Sequence, residues 1–226
     1  MSSIVENLRE VTRSIRAASE KVGRTAGSVT LVAVSKTHPV TSILEVLQAG
    51  QRVFGENRVQ EAMGKFPELK RDFPDLELHL IGPLQTNKVP DAVGFFDVIE
   101  TLDRPKLARA LAKEIQKQGR APRLYLQINT GAEPQKAGVL PEHAPALLAL
   151  CRDELGLTIE GLMCVPPAQG DPAPHFDLLK EMARKEGLSV LSMGMSADYP
   201  IAIAHGSTHV RVGTAIFGAR PVSFTP

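Results

Sequence analysis

Cysteine is scarce: Cys151 and Cys164 are the only two in 226 residues, and they lack CxxC spacing. A pair this sparse excludes a disulfide framework and leaves two small buried hydrophobes. Neither sign of charge is in excess, the net being +1 with Lys and Arg scattered. That excludes the electrostatic footprint of a nucleic-acid or anionic-membrane partner. Long apolar runs are missing, and the N-terminal MSSIVENLRE has neither a basic region nor an apolar signal core. The expectation is a cytoplasmic chain without a membrane span. His38, His79, His143, His175, His205 and His209 lack the short spacings to Cys or carboxylates that a metal centre uses. No GxSxG elbow and no Walker loop occurs. With no Pro/Ser-rich linker, heptad seam or exposed apolar helix either, one domain (residues 1–226) and a monomer are expected.

What is present is ordinary globular material, 43% hydrophobic and 23% charged, enough for a sizeable core. Ser3 and Glu6 stand at capping-box spacing ahead of an apolar stripe, Ile4, Leu8, Val11, Ile15, Ala18 and Val22, which predicts a leading helix. Short β-branched runs then alternate with helical stretches. Strands are predicted at Val29–Ser35, Arg52–Gly55, Leu78–Gly82, Asp97–Thr101, Leu124–Asn129, Ile159–Cys164, Ser189–Met193 and His209–Val212. Helices are predicted near Val40–Ala49, Val59–Phe66, Thr86–Val93, Arg104–Gln118, Pro141–Glu154, Ala173–Glu186 and Ala197–His205. Runs such as Leu-Val-Ala-Val (31–34) have no polar side, as in parallel strands buried on both faces. Eight such units favour an α/β fold closed as a (β/α)8 TIM barrel, with an extra N-terminal helix.

In that fold the loops following the strands form the working face. Lys36 directly follows the first strand, on the alternation face of Val32 and Val34, and so points to the barrel mouth. A lysine desolvated there becomes a neutral nucleophile able to form an imine with a carbonyl compound. A surface lysine at a helix start is the structural alternative. Loops after strands seven and eight commonly hold phosphate, and Gly194, Ser196, Gly213 and Thr214 suit that role, with Ser192 and Met193 in the same segment. Arg211 ends an apolar strand and requires a partner, either an internal carboxylate or a ring nitrogen of a bound cofactor. Asn57 either contacts a ligand or caps the next helix, and His79 is either a ligand contact or a satisfied core histidine. Asn129 and Lys136 also fall near the mouth.

Six motifs in order carry a resemblance that spans the chain: Ala-Val-Ser-Lys-Thr (33–37), Phe-Gly-Glu-Asn (54–57), Ile-Gly-Pro-Leu-Gln (81–85), Gly-Leu-Met (161–163), Ser-Met-Gly-Met-Ser (192–196) and Arg-Val-Gly-Thr-Ala-Ile-Phe-Gly-Ala-Arg (211–220). They resemble the pyridoxal phosphate homeostasis proteins, a family related to the N-terminal domain of alanine racemase. The resemblance implies pyridoxal 5′-phosphate as a Schiff base on Lys36, with Arg211 facing the pyridine nitrogen and Ser196, Gly213 and Thr214 holding the phosphate. Departures at His38 and in the loop Gln169–Pro174 fall on positions assigned no cofactor role. Racemases of that lineage add a C-terminal β domain that supplies a second base. This chain ends at Pro226, where the barrel is expected to be complete. The expectation is therefore a holder of the cofactor, not an enzyme, that keeps pyridoxal phosphate and amino and keto acid pools in balance, with pyridoxal phosphate-dependent enzymes as acceptors. A slow amino acid racemase and a Schiff-base aldolase on a phosphorylated sugar are the alternatives.

Overall fold

Ser3 opens the first helix, α1 (Ile4–Lys21), through a complete capping box: its hydroxyl accepts from the Glu6 N–H at 3.1 Å, and the Glu6 carboxylate accepts from the Ser3 N–H at 2.8 Å. The computed structural model describes residues 3–219, so Arg220 of the last motif lies outside the described residues. Leu8, Val11 and Ile15 bury the apolar stripe of α1, whereas Val22 lies just past its end and is 41% exposed. The chain leaves the helix there, turning through Gly23 at φ 72°.

Eight parallel strands follow: β1 (Thr30–Val34), β2 (Val53–Glu56), β3 (Glu77–Leu80), β4 (Val98–Leu102), β5 (Arg123–Ile128), β6 (Ile159–Cys164), β7 (Val190–Met195) and β8 (His209–Val212). Each pairs with the next, and β1 pairs with β8 from Thr30 opposite His209 to Ala33 opposite Val212, which closes the barrel. The outer layer comprises α2 (Val40–Gln48), α3 (Val59–Asp72), α4 (Val89–Phe95), α5 (Pro105–Gln118), α6 (Ala144–Ala149), α7 (Ala173–Lys185), α8 (Tyr199–Ala204) and the short α9 (Thr214–Phe217). Phe54, Phe66, Phe96 and Phe176 are fully buried in the hydrophobic core.

The predicted and observed elements differ where a proline or a tightened turn intervenes. Helix α3 runs through Pro67 to Asp72, further than its sequence suggests. The ~3 kcal/mol that an interior proline costs is offset by burial of the flanking Phe66 and Leu69, at about 1.5–3 kcal/mol for each side chain. The stretch beginning at Thr86 starts as a 3₁₀ turn (Thr86–Lys88), and α6 is preceded by a 3₁₀ turn (Pro141–His143) and followed by a π-helical turn (Leu150–Glu154).

Candidate functional site

At the C-terminal ends of the strands lies a cleft of about 540 Å³. Lys36 and His38 reach it from the loop after β1, Asn57 from β2, and Ile81, Gly82 and Pro83 from β3. Gln127 and Lys136 come from β5 and its loop, Met195 and Ser196 from β7, and Arg211, Gly213 and Thr214 from β8.

The backbone on both sides of Lys36 is tied down. The Ser35 hydroxyl donates to Glu56 Oε1 at 2.7 Å, and Lys65 Nζ reaches the same carboxylate oxygen at 2.7 Å and the Ser35 carbonyl at 3.0 Å. Burial pushes the fully enclosed Glu56 carboxyl up, against the pull of Lys65 and Ser35. Beyond Lys36, the Thr37 N–H donates to Glu61 Oε1 at 2.6 Å, and Lys65 also holds Glu61, at 2.9 Å. Thr37 sits at φ 66°, a left-handed conformation rare for a β-branched residue, so the chain is bent sharply just after the lysine.

Arg211 is 4% exposed. Its Nη1 donates to Ser192 Oγ at 2.7 Å and its Nη2 to the Cys164 carbonyl at 2.7 Å, while Glu100 lies 3.9 Å away. Ser192 in turn donates to Glu100 Oε2 at 2.5 Å, and Glu100 Oε1 meets His79 Nδ1 at 2.5 Å. The other ring nitrogen of His79 meets Glu77 at 2.7 Å. Burial alone would strip His79 of its proton, but hydrogen bonds to Glu100 and Glu77 outweigh it and raise the imidazole above its ordinary value. Burial likewise disfavours charge on Glu100, yet His79 and Arg211 hold that carboxyl below its usual range. Of the two partners the sequence allows Arg211, the internal carboxylate is present, Glu100 at 3.9 Å and linked through Ser192, while the guanidinium also donates to the Cys164 carbonyl.

At the β7 and β8 end, the Gly213 and Ala215 N–H groups approach Ser196 Oγ at 3.4 and 3.5 Å. A Cβ on Gly213 would lie 3.2 Å from the Val34 carbonyl oxygen, so a bare backbone lets this loop close over β1. Opposite, a Cβ on Gly82 would collide with the Asn57 backbone, 2.7 Å from its Cα. The Gly-Pro of the third-strand motif therefore seats Asn57. Arg58, not Asn57, is the N-cap residue of α3, which leaves Asn57 to the cleft. His38 stacks on Phe217 with ring centroids 4.9 Å apart.

Of the residues singled out in the sequence, Lys36, Asn57, Ser196, Arg211, Gly213 and Thr214 line the cleft together with Lys136. His79, Ser192, Met193 and Gly194 do not. His79 and Ser192 lie one layer deeper in the barrel, two residues before Ile81 and below Arg211. Met193 is packed in the hydrophobic core, and a Cβ on Gly194 would strike Ala202 of α8 at 2.6 Å, so that glycine serves helix packing. Asn129 holds the backbone of Glu133 instead of facing the cleft. Sequence reasoning missed His38, Ile81 and Gln127; the alternation face of Tyr125 and Gln127 was the available signal for the last. Among the described residues no cluster of metal-ligating side chains occurs, and no helix is long and apolar enough to cross a membrane.

The alanine racemase N-terminal domain family matches residues 7–221. A Vibrio alginolyticus protein named pyridoxal phosphate homeostasis protein is 41% identical, over 99% of this chain and 100% of its own. This chain belongs to the pyridoxal phosphate homeostasis protein family. The Escherichia coli K12 member is 39% identical over 99% of both chains. PipY of Synechococcus elongatus, a structural relative, has been solved without and with pyridoxal phosphate. The two structures superpose with TM-scores of 0.85 and 0.81 at 39% and 38% identity, each covering 96% of this chain and 100% of PipY. Alanine racemase of Clostridium difficile shares the fold, with a TM-score of 0.73 at 16% identity; 96% of this chain matches 58% of the racemase.

Proposed function

We propose that this chain binds pyridoxal 5′-phosphate in the cleft, through a Schiff base between Lys36 Nζ and the cofactor aldehyde, and serves pyridoxal phosphate homeostasis in the cytoplasm as a holder, not a catalyst. The observation that carries the reading is the closing seam of the barrel. Pairing of β1 with β8 sets Lys36 and Arg211 on one wall of the cleft, beneath the loop of Ser196, Gly213 and Thr214.

The residues present fit the group. A lysine supplies the amine, and Ser196, Thr214 and the unobstructed backbone of Gly213 suit a phosphate. Gln127 Oε1, which lines the cleft side of β5, is buried without a protein partner and offers an acceptor to a ligand. The cofactor brings an electrophilic aldehyde and a ring able to draw electrons. Arg211 would limit the second property: a guanidinium is donor only, so it would favour an unprotonated ring nitrogen at its end of the cleft. A weak electron sink favours holding over turnover. Family relatives carry the homeostasis name, which accords with this reading. Acceptors would be enzymes that use the same cofactor.

Titration of purified protein with pyridoxal phosphate tests the assignment. A near-visible imine band should form in wild type and be lost in Lys36→Ala, with borohydride trapping the cofactor on Lys36. Absence of the band would overturn the reading in favour of aldolase chemistry; exchange of an amino acid α-proton with solvent would favour the slow racemase.

A further inference from the structure

The barrel interior holds a charged chain that the cofactor reading does not by itself require. From the cleft inward it runs Arg211, Ser192, Glu100, His79 and Glu77, and it ends on Arg123, whose Nη2 lies 2.6 Å from Glu77 Oε1. These residues come from β3, β4, β5, β7 and β8, and Glu100 and Ser192 meet across the barrel from strands that are not neighbours. Glu77 and Arg123 are partly exposed, so the chain links the cleft to the opposite face.

The donor order is fixed by geometry. A carboxylate only accepts, so each His79 nitrogen, facing one, must carry a proton, and the ring is an imidazolium. The Ser192 hydroxyl gives its one hydrogen to Glu100 and therefore presents only a lone pair to Arg211. Arg211 must donate Nη1 to it, which fixes the plane of the guanidinium. The other groups packed around this chain are Tyr125, His209 and Cys164, and none of them breaks the order. His209 is held neutral by burial, with its pKa lowered to about 4, burial pushes the Cys164 thiol up to about 12, and burial raises the Tyr125 phenol as well.

We propose that Ser192, Glu100 and His79 are positioning residues, which act through Arg211 to set the orientation and residence time of the cofactor without touching it. This rests on the cleft taking pyridoxal phosphate. One hydrogen bond to a charged group corresponds to about a tenfold effect.

The test uses the protein loaded with pyridoxal phosphate, and reads the rate of cofactor loss and the visible circular dichroism of the imine band per unit absorbance. The second signal reports orientation, which a merely structural role would not move. Ser192→Ala should keep the Lys36-dependent band, lose cofactor about tenfold faster and show reduced dichroism; Ser192→Thr, which retains the hydroxyl, should restore both. His79→Gln, which alters no cleft residue, should reproduce the Ser192→Ala phenotype, and decides the matter if Ser192→Ala does not fold. Wild-type retention and dichroism in these folded variants would overturn the positioning role alone. Absence of the band in wild type would overturn the cofactor reading and this inference with it.

Discussion

Replacing Gly82 with alanine probes the link between packing and the cleft. The added methyl would stand 2.7 Å from Asn57 Cα and 2.8 Å from its carbonyl carbon, nearer still to the carbonyl oxygen. All three atoms are backbone, so no rotamer change relieves the overlap. The loops after β2 and β3 must part instead. Overpacking of this kind costs ~3 kcal/mol at the upper end of its range. For a chain of this size that corresponds to a fall in Tm of roughly 6–12 °C. Because Asn57 lines the cleft, its displacement should also weaken retention of pyridoxal phosphate, on the order of tenfold. Differential scanning calorimetry and equilibrium dialysis measure the two effects. Gly64→Ala is the control: nothing lies within 4 Å of a Cβ there, and the site is inside α3. It should raise stability by up to ~1 kcal/mol. A Gly82→Ala protein with wild-type Tm and wild-type retention would refute the argument that this glycine seats Asn57.

Lys65→Met should destabilise the fold by ~3 kcal/mol, since it leaves the fully buried Glu56 with only the Ser35 hydroxyl; adding Glu56→Gln should recover much of the loss, as read by urea unfolding. His209 has an ordinary imidazole pKa of 6.5 when unfolded but about 4 when folded, lowered first by burial. Its contribution to stability is therefore intact above pH about 6.5 and declines as pH falls, reaching a loss of ~3 kcal/mol near pH 4. Denaturant midpoints measured across that window should fall less steeply in His209→Asn, and equal slopes would disprove the assignment.

Much of this architecture can be read from the chain. All eight strands are visible as short β-rich runs punctuated by turn residues, even where β3 (Glu-Leu-His-Leu) and β8 (His-Val-Arg-Val) alternate polar with apolar because His79 and Arg211 point into the barrel. Helix ends were less legible: Pro67 looks like a stop, and only the burial of Phe66 and Leu69 shows why α3 continues. In the site, Lys36 and Arg211 were legible because a charged residue closing an apolar strand has few places to go. Depth was not legible. Alternation of period two puts His79 and Ile81 on one face, yet only Ile81 lines the cleft, since inward side chains stack in layers. Ser192 falls into the deeper layer in the same way. Partners such as Glu100 and Lys65 carry no local signal, because they become neighbours only when distant strands or helices meet.

The β1–β8 seam has a consequence for how the protein comes into being. Lys36 belongs to the first strand and Arg211 to the last, and no wall of the cleft joins them until those two strands pair. Contacts between the two ends of a chain are the last that synthesis makes available, and they close slowly because so long a loop must be ordered. A nascent chain still lacking β8 displays Lys36 without Arg211, Gly213 and Thr214 beside it. On the proposed reading, assembly of the site is tied to closure of the barrel, and a ribosome-stalled fragment lacking β8 should retain pyridoxal phosphate less well than the closed barrel.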